Sequence, residues 1–182
     1  MVINTDLNAT DMLMFRTASV ADARLLYDWR NDPQTRQNSL ETSAVSWEEH
    51  LGWLTRKLAE PAYLMHIAQC CQPDGRLVPA VFLRLALMAD DQGGPYGYLS
   101  YTVNPELRGQ GLGKAAVLQY AQQFKLPIQF DVLTENQASH RIAAALGARV
   151  VSQTPACVRY GWWPDVKAAT MKNTAQNAAR VT

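Results

Sequence analysis

The feature that most constrains this chain is a run of alternating glycines, Arg108-Gly109-Gln110-Gly111-Leu112-Gly113, set between an extended segment and a helical one. Upstream, segment 96–103 alternates Leu99, Tyr101 and Val103 with Tyr98, Ser100 and Thr102, the period-2 pattern of a strand with one apolar and one polar face. Downstream, Val117, Tyr120, Ala121 and Phe124 fall on one stripe of a helix expected over 112–124. Glycines at such a junction let the backbone turn tightly and let a ligand approach without meeting a Cβ. The unpaired amides of the helix's first turn point at that ligand, and the helix dipole favours an anion. A phosphate or pyrophosphate is the natural guest, with Arg108 either adding a charge or tying the loop down.

The rest of the chain supplies the frame. A strand over 12–18 follows a floppy N-terminal segment, 1–11. Ser19 and Asp22 then open a helix with Ala21, Leu25 and Trp29 at helical spacing, ended by an Asn31-Asp32-Pro33 turn. Ser46 with Glu49 forms a capping box, followed by Trp47, Leu51, Leu54 and Leu58 on one helix face. Segments 63–71 and 78–88 flank a Pro73-Asp74-Gly75 turn and read as a hairpin leading to the strand at 96–103. Beyond the glycine turn come a strand at 128–133, a helix over 136–146 stopped by Gly147, and extended pieces at 149–153 and 157–162. The expected fold is α+β: one domain over 12–163, about four helices against a mixed, mostly antiparallel sheet of about seven strands. Segment 164–182 is a tail without a strong apolar stripe.

Composition excludes several classes. With 17 Lys plus Arg against 16 Asp plus Glu, the net charge is +1, so no electrostatic footprint for nucleic acid or a membrane surface is present. The most apolar run, 78–89, is broken by Arg84 and too short to span a bilayer. Segment 1–11 has neither a basic cluster nor an apolar run, and so does not read as a secretory signal. Cys70, Cys71 and Cys157 make a poor disulfide framework and show no metal-ligand spacing, which points to reduced thiols, a cytoplasmic protein and no bound metal.

Two familiar phosphate motifs fail at the turn. A Walker loop needs four residues between its glycines and a Ser or Thr after the lysine, whereas three separate Gly109 from Gly113 and Ala115 follows Lys114. The even spacing of Gly109, Gly111 and Gly113 does not give the G-x-G-x-x-G of dinucleotide folds. Arg108, Gly111 and Gly113 instead resemble the Arg/Gln-x-x-Gly-x-Gly/Ala pyrophosphate loop of the GNAT superfamily of acetyl-CoA-dependent N-acetyltransferases. The Val103-Asn104-Pro105-Glu106 lead-in and the Asn136-Gln137-Ala138-Ser139 start of a helix ending at Leu146-Gly147 resemble that family too, with Ala148 where Phe is usual.

The resemblance implies that strands four and five splay apart and admit the pantetheine arm of acetyl-CoA. The backbone of Tyr101, Thr102 and Val103 would pair with that arm, and the amides of Arg108, Gly109, Gln110, Gly111, Leu112 and Gly113 would hold the pyrophosphate. Asn136 would contact the pantetheine region, or act simply as a helix cap. A neutral amine would attack the thioester, with a backbone amide at the splay stabilising the oxyanion. The family's usual strand-four Glu is Tyr98 here, and its usual Tyr on the helix is Ala143, so the proton-transfer groups are open. Candidates are Tyr98, Ser139 and His140, with Ser100, Asp131, His66 and His50 behind them, or a water relay.

Trp29-Arg30-Asn31-Asp32, with His50 and Trp53 downstream, resembles N-acetyltransferases of bacterial aminosugar pathways and, less closely, enzymes that acetylate ribosomal protein N-termini. Trp29, Arg30, Asn31 and His50 are then candidate acceptor contacts. Trp29 would stack on a ring, and Arg30 or Arg36 would pair with a diphosphate. The partner implied is a small-molecule amine, nucleotide-linked in the first reading, with a homodimer compatible with the family. A peptide or small-amine acceptor is the alternative, and a CoA-binding domain without turnover is a third.

Overall fold

The computed structural model describes residues 13–164. The expected flexible segment 1–11 and nearly all of the expected tail 164–182 lie outside the described residues. Strand β1 (Met14–Thr17) enters the sheet, and a short 3-10 turn at Val20–Asp22 leads into α1 (Ala23–Asn31). Asp22 is tied to Arg16 by a 2.6 Å ion pair, which fixes that turn against β1. The turn at Asn31-Asp32-Pro33 ends α1 as expected, but a helix follows at once, α2 (Pro33–Gln37). Pro33 sits in its first turn, where no amide hydrogen is needed, and the Asp32 carboxylate accepts from Thr35 N–H at 2.8 Å. The described residues thus hold five α-helices rather than about four. Helix α3 (Trp47–Leu58) starts at the Ser46–Glu49 capping box, with both reciprocal bonds made.

Strands β2 (Tyr63–Cys71), β3 (Leu77–Ala89) and β4 (Pro95–Val103) form an antiparallel meander with β1. A second 3-10 turn, Pro105–Leu107, and the glycine run connect β4 to α4 (Leu112–Ala121). Strand β5 (Ile128–Leu133), α5 (Gln137–Leu146), β6 (Arg149–Gln153) and β7 (Cys157–Trp162) follow. The sheet runs β1-β2-β3-β4-β5-β7-β6, antiparallel throughout except for the β4–β5 pair. Helices α4 and α5 cover one face, where Leu83, Leu85, Leu99, Ile128 and Phe130 pack against Val117 and Tyr120. Helices α1 and α3 cover the other, over a smaller core built on Leu26, Trp29, Leu54, Met65 and Ile67. Among the described residues no helix is long and apolar enough to cross a membrane, and no group of His, Cys, Asp and Glu could hold a metal ion. The three cysteines are free thiols.

Two histidines are built into these cores. His50 on α3 is buried and bonds the Ala23 carbonyl through Nε2 at 3.1 Å, so Nε2 carries the hydrogen and donates it. His66 on β2 places Nδ1 2.9 Å from the Tyr120 hydroxyl. Burial pulls both pKa values below the ordinary histidine value, so the fold favours the neutral imidazoles. That stability is complete above the unfolded pKa of about 6.5 and is lost as pH falls from there through the lowered folded values. We expect the urea midpoint to drop between pH 7 and pH 5, and a His50→Gln, His66→Gln double variant to show a flatter profile. An equally steep drop in the double variant would assign the effect elsewhere.

Candidate active site

The site begins where the sheet comes apart. Strand β4 pairs with β5 only at Gly97↔Ile128 and Tyr98↔Gln129, after which β5 continues alongside β7. Gly97 N–H donates to the Pro127 carbonyl, toward β5, while Asn104 N–H donates to the Ala80 carbonyl, toward β3. Backbone groups alternate direction along a strand, so Leu99, Tyr101 and Val103 turn their N–H and C=O groups toward the β5 side, past the last paired residue. Thr102 corrects part of the sequence expectation. By the same alternation its backbone N–H and C=O turn toward Phe82 on β3, into the β3–β4 ladder, although the residue lines the cavity.

At the end of β4 the chain turns over the gap's mouth. Gly109 and Gly111 both adopt φ of +78°, the left-handed conformation that disfavours other residues, and Gly111 is the N-cap of α4. Gly113 is needed for a different reason. A Cβ there would lie 2.8 Å from Val103 Cγ2, so a side chain would push the helix off β4. The Ala115 N–H makes the first bond of α4, to the Gly111 carbonyl, which leaves the amides of Leu112, Gly113 and Lys114 without helical acceptors. This cradle of free amides at the start of α4 fits the phosphates of a CoA-type cosubstrate.

Arg108 resolves to a tie. Its Nη2 donates to Asp32 Oδ2 at 2.5 Å and to Thr35 Oγ1 at 2.6 Å, and Nη1 donates to Gln34 Oε1 at 2.9 Å. The guanidinium thereby fastens the glycine turn to α2. Burial pushes the Asp32 carboxyl upward, but the hydrogen bond from Arg108 and the Thr35 amide outweigh it and hold the group below the usual carboxylate range.

One cavity of about 1200 Å³ runs from this turn through the gap to the α1–α3 side. Gly109, Gly111, Leu112, Gly113 and Asn136 line its turn end, with Tyr101 and Val103 on β4. Lys114 and Arg141 also line this end. Gln110 does not line the cavity. The Asn136 carboxamide oxygen accepts from Ser139 N–H at 3.1 Å, so this residue caps α5 while facing the cavity.

Three hydroxyl or imidazole groups at the gap were expected from the sequence, and their surroundings differ. The Tyr98 hydroxyl donates to Asp131 Oδ2 at 2.9 Å, and Asp131 is also gripped by Arg159 through bonds of 2.7 and 2.8 Å. Burial and the adjoining carboxylate push the Tyr98 pKa far above its ordinary value, so this phenol keeps its proton. Arg159 holds Asp131 below the usual carboxylate range against the opposing effect of burial. Ser139 lines the cavity and its Oγ accepts from the Tyr101 hydroxyl at 2.9 Å. His140 stands outside the cavity lining. Its Nε2 donates to the Thr134 carbonyl at 3.1 Å, and its Nδ1 lies 2.9 Å from the Tyr160 hydroxyl. Both of its ring nitrogens are spent in packing.

On the α1–α3 side, where acceptor contacts were expected, Trp29, Arg30 and His50 line the cavity and Asn31 does not. The Asn31 carboxamide instead exchanges two hydrogen bonds with Val45, at 2.9 and 3.0 Å, and pins the loop before α3. Trp29 is 5% exposed and belongs to the core. Trp53, Phe82 and Arg84 also line this arm. Sequence reading gave Phe82 and Arg84 no role in a site. The available signal was the single charge of Arg84 in an otherwise apolar strand.

Residues 12–149 match the acetyltransferase (GNAT) domain family, and the chain belongs to it. It is an acyltransferase, and acetyl-CoA is the cosubstrate of that family. No curated protein matches the sequence. Among solved structures, the chain is similar to a spermidine N-acetyltransferase from Vibrio cholerae in complex with CoA and spermine, at 14% identity and TM-score 0.68, covering 82% of this chain and 94% of that one. It is also similar to the aminoglycoside acetyltransferase AAC(6')-Ib in complex with coenzyme A, at 15% identity and TM-score 0.67, covering 88% and 99%. A third is the ribosomal L7/L12 alpha-N-protein acetyltransferase RimL, at 16% identity and TM-score 0.63, covering 84% and 90%. These likenesses describe the fold.

The Asp32 tie yields a stability prediction. Asp32→Ala removes both the α2 cap and the partner of Arg108, and should cost about 1–2 kcal/mol in chemical denaturation. Asp32→Asn keeps a capping oxygen and should cost less. Equal stability of wild type and both variants would mean the tie contributes nothing.

Proposed function

We propose that this protein transfers the acetyl group of acetyl-CoA directly to the primary amine of a nucleotide-linked aminosugar, in the cytoplasm. The observation that carries the reading is one continuous cavity, which connects an amide-lined anion cradle, an unpaired stretch of β4 and an aromatic arm. Acetyl-CoA supplies an activated thioester. The chain's own part is to bind, align and move protons.

The amides of Leu112, Gly113 and Lys114 and the α4 dipole hold the pyrophosphate. Arg108 contributes its backbone to this cradle and its side chain to α2. Tyr101 and Val103 pair along the pantetheine arm as an added strand would, and the carboxamide nitrogen of Asn136, whose oxygen caps α5, meets the same arm. A β4 amide pointing into the gap is positioned to stabilise charge developing on the carbonyl oxygen.

Proton transfer is assigned by what each group can hold. Tyr98 keeps its proton, donates a hydrogen bond to Asp131, and offers its phenolic oxygen to the cavity as an acceptor that positions the incoming amine, oriented by Asp131 and Arg159. Asp131, stabilised as a carboxylate, is a weak base. Ser139, fixed by Tyr101, places a hydroxyl at the α5 side where the departing thiolate needs a donor. The amine proton leaves through water in the cavity. His140 has no part in this scheme.

For the acceptor, a sugar ring fits the aromatic arm, with Trp53 rather than the core residue Trp29 as its stacking surface. Arg30 is anchored to the Glu41 and Ser43 carbonyls through Nη2 and faces the cavity as a phosphate partner.

The deciding assay is thiol release from acetyl-CoA with a nucleotide-linked aminosugar, the free aminosugar, a polyamine, an aminoglycoside and a peptide N-terminus. Turnover with the nucleotide-linked sugar well above the others is expected. Preference for a peptide would move the protein to the N-terminal acetyltransferase class, and CoA binding without any turnover would make it a non-catalytic CoA-binding domain. In the same assay Tyr98→Phe should lower kcat about a hundredfold. An unaffected kcat would remove Tyr98 from the mechanism.

A further inference from the structure

The acceptor arm holds a cation that acetyl transfer does not use. Arg84 lies on β3, opposite Met65 of β2 and Ser100 of β4, so it shares the sheet face of Tyr98, Ser100 and Thr102. Its guanidinium carbon sits 5.5 Å from the centre of the Trp53 ring, and both residues line the cavity. Among the described residues Arg84 makes no ion pair.

The carboxylates on this side of the cavity are engaged elsewhere. Glu41 accepts from Ser43 N–H at 2.9 Å, Glu49 accepts from Ser46 N–H at 2.8 Å, and Asp131 is gripped by Arg159. Burial pulls the Arg84 pKa down, with Tyr63 and Tyr98 opposing, yet a guanidinium stays charged in a protein. Arg30, on the same arm, has a buried Nη1 without a hydrogen-bond partner among the described residues.

A half-buried cation with no carboxylate partner is costly unless something else meets it. An indole face at cation–π distance attracts the guanidinium without using its N–H groups, which remain available to oxygen acceptors. We propose that Arg84, held at cation–π distance over Trp53 and supported by Arg30, is a receptor for an oxyanion, phosphate or carboxylate, carried by the acceptor molecule beside its amine. This rests on the reading of the cavity as an amine-acceptor site. It makes the acceptor amphoteric and disfavours polycationic amines, which would bring like charge against Arg84 and Arg30.

Calorimetric titration of the protein saturated with CoA, so that the glycine turn is already filled, tests the proposal independently of turnover. The probes are inorganic pyrophosphate and succinate, and whichever binds separates a phosphate source from a carboxylate source. Wild type should bind one of them at one per chain. Arg84→Met, which keeps the length of the side chain, should weaken that binding about tenfold or more, and Arg84→Lys, which keeps the charge without the fork, should fall between. Unchanged CoA affinity in each variant verifies the fold. Binding of neither anion to wild type, or equal binding by Arg84→Met, overturns the proposal. In turnover, Arg84→Met should raise KM for an anionic acceptor more than it lowers kcat. Failure of all amines as acceptors, with the anion still bound through Arg84, would strike the transfer reading and leave the receptor standing.

Discussion

The constraint on which the rest depends is the parting of β4 from β5 after two paired residues. A strand inside a sheet normally satisfies its backbone on both sides. Here β4 keeps β3 along its whole length, while β5 is drawn away by six paired positions with β7. The consequence is a row of odd-numbered backbone groups, from Leu99 to Val103, facing a cleft in the middle of the fold. The glycine turn then sits over the end of that row because it follows β4 directly. One departure from regular pairing thus opens the cleft in which the proposed cosubstrate and acceptor would meet.

Rigidity around the gap comes from contacts that are distant in sequence. Arg108 locks the turn to α2 across 76 residues through Asp32. Tyr101 meets Ser139 across 38, and Tyr98 meets Asp131 across 33, in each case joining β4 to an element on the far side of the gap. These hydroxyl pairs brace the two walls without pairing their backbones. The acceptor arm is built from the opposite layer, where α3 supplies His50 and Trp53 and β3 supplies Phe82 and Arg84.

Local signals made most of the frame legible in the sequence. The capping box at Ser46, the alternation through 96–103, the left-handed stop at Gly147 and the glycine run each act over a few residues. Helix α2 escaped because five residues carry no measurable periodicity, and its start is a proline that reads equally well as a turn. The pairing direction of Thr102 was hidden since alternation tells which face a side chain takes but not which neighbouring strand its backbone meets. The destinations of the Arg108 and Asn31 side chains, and the capture of His140 by Tyr160, depend on contacts between elements far apart in the chain. Arg84 was visible as an anomaly in an apolar run, and only the sheet register turned it toward the acceptor arm.

In the proposed function the unpaired edge of β4 receives the cosubstrate as an added strand. Amide hydrogen exchange with and without CoA tests it most directly. New protection is expected at Tyr101 and Val103 and at the amides of Leu112, Gly113 and Lys114, with little change at Thr102, whose amide belongs to the β3 ladder. Tight CoA binding with exchange at Tyr101 and Val103 unchanged would contradict it.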